Sequence, residues 1–270
     1  MTIVEELRDI SDIRSRAKII DPCPQTLNIS TLENRPIPFW RGEMAVKDTS
    51  TAQFGTLTLT PYSLAVIVLI SKELAEDAEV GGAIIPYIQS KIIEGISEEE
   101  EKVFAVGSGT GRPTGIDTYS ATVPRIIPCP AAALTTADPL ISAYYKLGQR
   151  YLRNAVWLMN SITLTKVMQL KDSQNRNIFV PDPTGATPGT ILGRPCLRND
   201  SLNATHIWLI DLSGYYIGVR GGINVMQSEE AYVTPVGSLW EKNLIGIRVE
   251  ERIDAELADL HCAVVITNVN

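Results

Sequence analysis

Histidine is nearly absent from this sequence of 270 residues, which holds only His206 and His261. A histidine-built metal centre or general base is therefore not expected. The four cysteines, Cys23, Cys129, Cys196 and Cys262, contain no pair at CxxC spacing. Zinc-ribbon and dithiol redox motifs fail on that spacing, and the thiols read as isolated and buried in a reducing compartment. Long apolar runs are missing as well. The longest is Leu64 to Ile70, seven residues, where a spanning helix takes about 20. No membrane partner is expected, and the run suits a buried strand. Basic residues do not predominate: 24 stand against 31 acidic ones, for a formal net charge of −7. That argues against a broad surface for coating nucleic acid, although a local basic patch is compatible with it. The N-terminus, MTIVEELRDI, carries acids where a secretory signal carries bases.

The familiar chemical signatures are missing too. There is no GxSxG elbow, DxDxDG calcium loop, zinc finger or RNA-recognition motif. Glu98-Glu99-Glu100-Glu101 reads as a solvated helix face. Gly107-Ser108-Gly109-Thr110-Gly111 follows a helix instead of opening one, and no Gly-Lys-Ser/Thr follows, so a structural turn is expected and not a phosphate cradle. No catalytic residue, cofactor or metal site is assigned.

What is present is globular. Hydrophobic residues make up 44% and charged residues 20%, and the length suits one large domain or two small ones. Residues 1–20 mix charges around Ile3, Leu7 and Ile10, and read as an arm with a short helix outside the core, ended by Asp21-Pro22. Thr56-Leu57-Thr58-Leu59-Thr60 alternates with period two, a strand with one apolar face. Phe39 to Val46 is its expected partner in a long hairpin that cannot bury itself and so should lie on another subunit. Ser71 to Asp77 reads as a short helix stopped near Gly81-Gly82. A spine helix of roughly 30 Å should follow from Ile84 to Val106, with Pro86 in its first turn and Ile85, Ile88, Ile92 and Ile96 on one stripe.

Downstream, Asp138 to Arg153 is helical, Ala155 to Met159 a buried strand, and Asn160 or Ser161 the cap of a helix reaching Lys171. A short strand is expected at Phe179-Val180 and another at 207–211. Tyr215–Val219 and Ile223–Met226 flank Arg220-Gly221-Gly222 like a hairpin. Leu244 to Ile253 and Cys262 to Ile266 read as late strands. Helices and strands do not alternate regularly, so the fold class is α+β.

Several segments, in order, resemble the major capsid proteins of tailed bacteriophages with the Hong Kong 97-type fold, over roughly residues 33–270. They are Phe54 to Pro61 with Ser71 to Asp77, the spine helix ending at Phe104 and running into Gly107 to Ile116, Ala155 to Asn160, Leu170 to Asp172, Leu192 to Pro195, and Ile210-Asp211 through Gly222. The resemblance implies an N-terminal arm (1–32), an extended loop (33–72), a peripheral domain (73–118 and 233–255) and an axial domain (119–232 and 256–270). It implies a structural protein, not an enzyme, whose copies form hexamers and pentamers of an icosahedral head around double-stranded DNA held without sequence specificity. Portal, scaffold and decoration proteins are the implied partners, and the implied location is the virion capsid, assembled in the bacterial cytoplasm. Many relatives carry a scaffolding segment ahead of the arm; here the arm comes first, so a separate scaffold or a processed form is expected.

Candidate subunit-interface residues are Leu57, Leu59, Lys47, Arg41, Asn243 and Glu250, with Gly107, Gly109 and Gly111 as a structural turn. Some relatives join subunits through a loop lysine, an asparagine and a glutamate. Asn243 and Glu250 match two of these, but the lysine position falls at Thr56, so no isopeptide bond is expected. The rival readings are a cargo-enclosing nanocompartment shell of the same fold and, from another class, a small α+β hydrolase.

Overall fold

The computed structural model describes residues 11–34, 36, 38–41, 43, 49–50, 53–76, 78–129, 134, 136–171, 174, 176–179 and 189–269. In chain order the helices are α1 Asp12–Arg16, α2 Lys72–Glu76, α3 Ala78–Val106, α4 Asp138–Lys146, α5 Gln149–Leu152 and α6 Ser161–Met168. The strands are β1 Lys18–Ile20, β2 Leu27–Asn34, β3 Gln53–Leu59, β4 Tyr62–Ser71, β5 Ile126–Pro128, β6 Val156–Met159, β7 Thr190–Ile191, β8 Arg194–Arg198, β9 Ile207–Ile210, β10 Tyr215–Val219, β11 Asn224–Ser228, β12 Tyr232–Val233, β13 Gly237–Ser238, β14 Leu244–Leu257 and β15 Ala263–Thr267.

Two sheets organise the chain. A six-stranded sheet runs β5-β15-β9-β6-β8-β7. Its central strands are apolar at every position, because both faces are covered. Val156, Leu158, Trp208, Ile210, Ala263 and Val265 point into one core. Trp157, Met159, Ile207, Leu209, Val264 and Ile266 point into another, beneath Leu140, Ala143 and Leu147 of the α4 region and Leu164 and Val167 of α6. Asn160 caps α6 by accepting from the Ile162 N–H at 2.9 Å.

The second sheet has five strands built around β14. One edge of β14 pairs with β4, from Leu244↔Ser71 to Ile253↔Tyr62. The other edge pairs with β11 and then with β10. The glycine pair at 221–222 is therefore not a hairpin turn. β10 and β11 both run antiparallel to β14 along the same edge, and Gly221 (φ 79) and Gly222 (φ 64) make the break between two collinear strands. Left-handed backbone suits glycine, which has no Cβ to collide.

Helix α3 lies on this sheet. It spans 29 residues, about 43 Å, and contains Gly81, Gly82 and Pro86 well inside its bounds, so the expected stop and first-turn proline are both displaced. Ile92, Ile93 and Ile96 pack on Ile70, Ile247 and Val249. The apolar run at 64–70 is a strand buried on one face only: Leu64, Val66 and Val68 meet the helix while Ile67 is half exposed.

The hairpin partner differs from the expected one. β3 pairs with β2, from Leu27↔Leu59 to Leu32↔Phe54. Phe39 and Trp40 lie outside any strand and are exposed, and 44–48 lie outside the described residues. Leu27–Asn34 thus leaves the arm and forms the outgoing strand. The strand expected at Phe179-Val180 is not present at Phe179, and Val180 lies outside the described residues.

Candidate functional site

The expected interface leucines prove to be internal. Leu59 is fully buried and Leu57 is 8% exposed. They pack with Cys23, Ile20, Leu27, Ile29, Tyr216 and Ala258 of the same chain. The base of the hairpin is folded onto β10 and the loop after β14, so no second subunit is needed to cover it. Beyond that base the situation reverses, with Phe39, Trp40 and Phe54 at 55%, 102% and 70% exposure.

The other candidates scatter. Arg41 is exposed, and Lys47 lies outside the described residues. Asn243 is exposed and takes left-handed backbone (φ 53) in the turn before β14, where its carbonyl accepts from the Lys72 N–H at 2.9 Å. Glu250 sits in β14 beyond it, about 20 Å along the strand at the usual rise, so the two are not brought together within one subunit. Glu250 accepts from Ser63 Oγ at 3.0 Å and faces Arg252 and Arg248 at 3.5 and 4.0 Å. The Ser63 hydrogen bond leads in holding its carboxyl below the usual range, followed by the arginine charges. Thr56, the position matching the lysine, is exposed on β3.

The glycine turn behaves as a helix stop. Gly109 and Gly111 have φ of 73° and 69°. Gly107 is constrained differently, since a Cβ there would overlap the carbonyl oxygens of Pro113 and Val103. Gly115, at the far end of the same glycine-rich loop, is as tight: a Cβ would overlap the amide nitrogens of Gly107 and Val106. The chain turns back on itself here, with a bridge between Ser108 and Thr114.

Half of the acidic run is not a solvated face. Glu98 is exposed, and Glu99 pairs with Lys102 near the surface. Glu100, however, is 2% exposed and accepts from Arg14 Nη1 at 2.6 and 2.8 Å. Glu101 accepts the N–H groups of Asp12 and Ile13 at 2.8 and 3.3 Å. The helix Asp12–Arg16 is therefore part of the core: Ile13 and Arg14 are 0% and 1% exposed. The signal was available in the sequence. Glu100 continues the Ile92, Ile96 stripe toward buried Phe104, and Glu251 interrupts the inward row Ile247, Val249, Ile253.

Outside that cluster, His206 Nδ1 meets Asp117 Oδ1 at 2.6 Å, and Trp208 Nε1 donates to the same oxygen at 3.1 Å. Between β4 and α3 lies an apolar groove of about 500 Å³ lined by Leu64, Val66, Val68, Ile88, Ile92 and Ile96. What the surface offers is contact area and open apolar side chains on a ribbon and a groove, the properties of a subunit built to meet other subunits.

Comparison with known proteins agrees with that class. Residues 1–268 match the Phage capsid family, and the chain belongs to it. It is a structural protein of the capsid and not an enzyme, with the Hong Kong 97-type fold of major capsid proteins. It is 22% identical over 264 residues to the capsid polyprotein of Pseudomonas phage PAJU2, covering 86% of this chain but 37% of that longer protein. It is 22% identical to the probable major capsid protein gp17 of Mycobacterium phage D29, covering 98% of this chain and 89% of that one. Among solved structures, the capsid of a native GTA particle superposes with a TM-score of 0.79 at 20% identity, covering 97% of this chain and 91% of that one.

Proposed function

We propose that this chain, as a major capsid protein, forms hexamers and pentamers that close an icosahedral head around double-stranded DNA. The observation that carries the reading is the unburied end of the ribbon. Its base is sealed by Leu57 and Leu59, whereas Trp40 is 102% exposed with Phe39 and Phe54 nearby in the chain. Covering such side chains is worth about 1.5–3 kcal/mol each, and a second copy of the chain is the surface that supplies the cover. Arg41, Lys47, Asn243 and Glu250 are the polar residues assigned to the same contacts. The net charge of −7 supports DNA confined by the shell and not gripped by sequence.

Portal, scaffold and decoration proteins are the further partners in this reading. Assembly in the bacterial cytoplasm accords with four cysteines outside any disulfide. The domain division is proposed with shifted seams. The arm ends before Leu27, and Tyr215–Ser228 joins β4, β14 and α3 in the peripheral unit, leaving the six-stranded sheet as the axial unit. The experiment is light scattering and negative-stain imaging of the expressed full chain, with Trp40→Ser beside it. Capsomers or megadalton shells are expected from the parent and a folded, poorly assembling subunit from the variant. A parent that stays a small oligomer at high concentration overturns the reading.

A further inference from the structure

Two carboxylates face one guanidinium in the interior of the subunit. Arg14 comes from α1, Glu100 from α3 and Glu251 from β14, and none is more than 2% exposed. Arg14 Nη1 holds both oxygens of Glu100, and Nη2 donates to Glu251 Oε1 at 2.9 Å. Arg14 Nε, Glu251 Oε2 and Ser97 Oγ, all buried, find no hydrogen-bond partner among the described residues. With both acids ionised the cluster holds one uncompensated negative charge away from water, which is costly. With one proton retained it is neutral.

We propose that Arg14, Glu100 and Glu251 form a proton-held latch that fastens the helix Asp12–Arg16 to the spine helix and β14, closed while Glu100 keeps its proton and opened when that proton is lost. The groups facing Glu100 are Arg14 from α1 and Glu251 from β14; Glu99 and Arg112 share a neighbouring cavity with it. On the next helix position Glu101 faces Asp12, and Tyr215 lies within reach of its charge. Burial first, then the charge of Glu251, raises the Glu100 carboxyl to about 8 against the opposing pull of Arg14. A carboxyl raised in the folded state stabilises it fully below its ordinary value of 4.5 and loses that contribution as pH rises through about 8. The latch is thus closed at neutral pH and loosens on the alkaline side.

The test uses the full chain and the amide exchange of Ser15 and Ala17, whose N–H groups donate to Ser11 and Ile13 carbonyls in α1. Taking the ratio of parent to E100Q at each pH cancels the intrinsic pH dependence of exchange. Glutamine keeps the acceptor oxygen and cannot ionise, so E100Q is permanently neutral at this position. The ratio is expected near one at about pH 4.5, and the parent is expected to exchange at least about tenfold faster than E100Q near pH 9.5. A ratio within about twofold of one at both values overturns the latch. E251Q carries the same expectation should E100Q not fold. Loss of fold in both at about pH 4.5 also overturns it, because the neutral cluster is the closed state.

Discussion

Gly107 and Gly115 close the end of the spine helix on each other: the Gly115 N–H donates to the Gly107 carbonyl at 2.9 Å, and a Cβ on Gly115 would overlap the Gly107 amide nitrogen. Thr118 Oγ1 donates to the same carbonyl at 2.8 Å. The turn therefore depends on close backbone approach at these two residues and on left-handed backbone at Gly109 and Gly111.

The first prediction separates those two demands. Gly115→Ala should cost about 1–3 kcal/mol, because backbone must move to admit a methyl group. Gly111→Asn should stay within about 0.5 kcal/mol, because asparagine tolerates left-handed backbone and a Cβ at Gly111 meets nothing within 4 Å. Urea unfolding of the unassembled chain measures both. Equal losses would show that approach distance is not the constraint.

Leu59→Ala should destabilise the subunit itself by about 2–5 kcal/mol, the range for emptying a well-packed core site. Its neighbours Cys23 and Gly218 already crowd the space: a Cβ on Gly218 would stand 3.3 Å from Leu59 Cδ1. Thermal unfolding of the unassembled chain checks this. A normal melting temperature combined with failed assembly would return Leu59 to an intersubunit role.

Glu101 supplies a pH dependence separate from the Glu100 latch. Burial raises its carboxyl to about 7, opposed by the hydrogen bond from the Ile13 N–H. Its contribution to stability is present in full below 4.5 and falls as pH rises through about 7. Glu101→Gln should keep an acceptor for the Asp12 and Ile13 amides while flattening the melting temperature across that window. An unchanged slope in the variant would assign the dependence elsewhere.

All four cysteines are buried and outside any disulfide. Burial pushes the Cys196 thiol up to about 12, and raises Cys23 and Cys262 as well. A thiolate-directed reagent near pH 8 should label none of the four within minutes in the native chain and all of them in denaturant. Rapid native labelling of Cys196 would mean that the six-stranded sheet opens locally.

Much of the architecture is local in origin and could be read from neighbouring residues. Period two at Thr56–Thr60, the Ile92, Ile96 stripe and the glycine run after Val106 each follow from a few adjacent side chains. The order of such segments was enough for the resemblance. The partner of β3 was not readable. Phe39–Val46 and Leu27–Asn34 are both capable of strand structure, and only the β2 choice lets Leu27 and Ile29 close over Leu57 and Leu59. Nor was the glycine pair at 221–222, because one edge of a 14-residue strand accommodates two shorter ones end to end. Arg14, Glu100 and Glu251 are residue types that normally seek water. Glu100 and Glu251 stand on inward-facing positions of their elements, but their meeting with Arg14 depends on three distant segments converging at one point, a condition set by packing. Composition and periodicity thus determined most of the elements and the α+β class, and the ordered motifs carried the resemblance to a family. The tertiary structure alone decided which apolar faces stay inside the subunit and which charged groups are locked there, because both depend on contacts far apart in the chain.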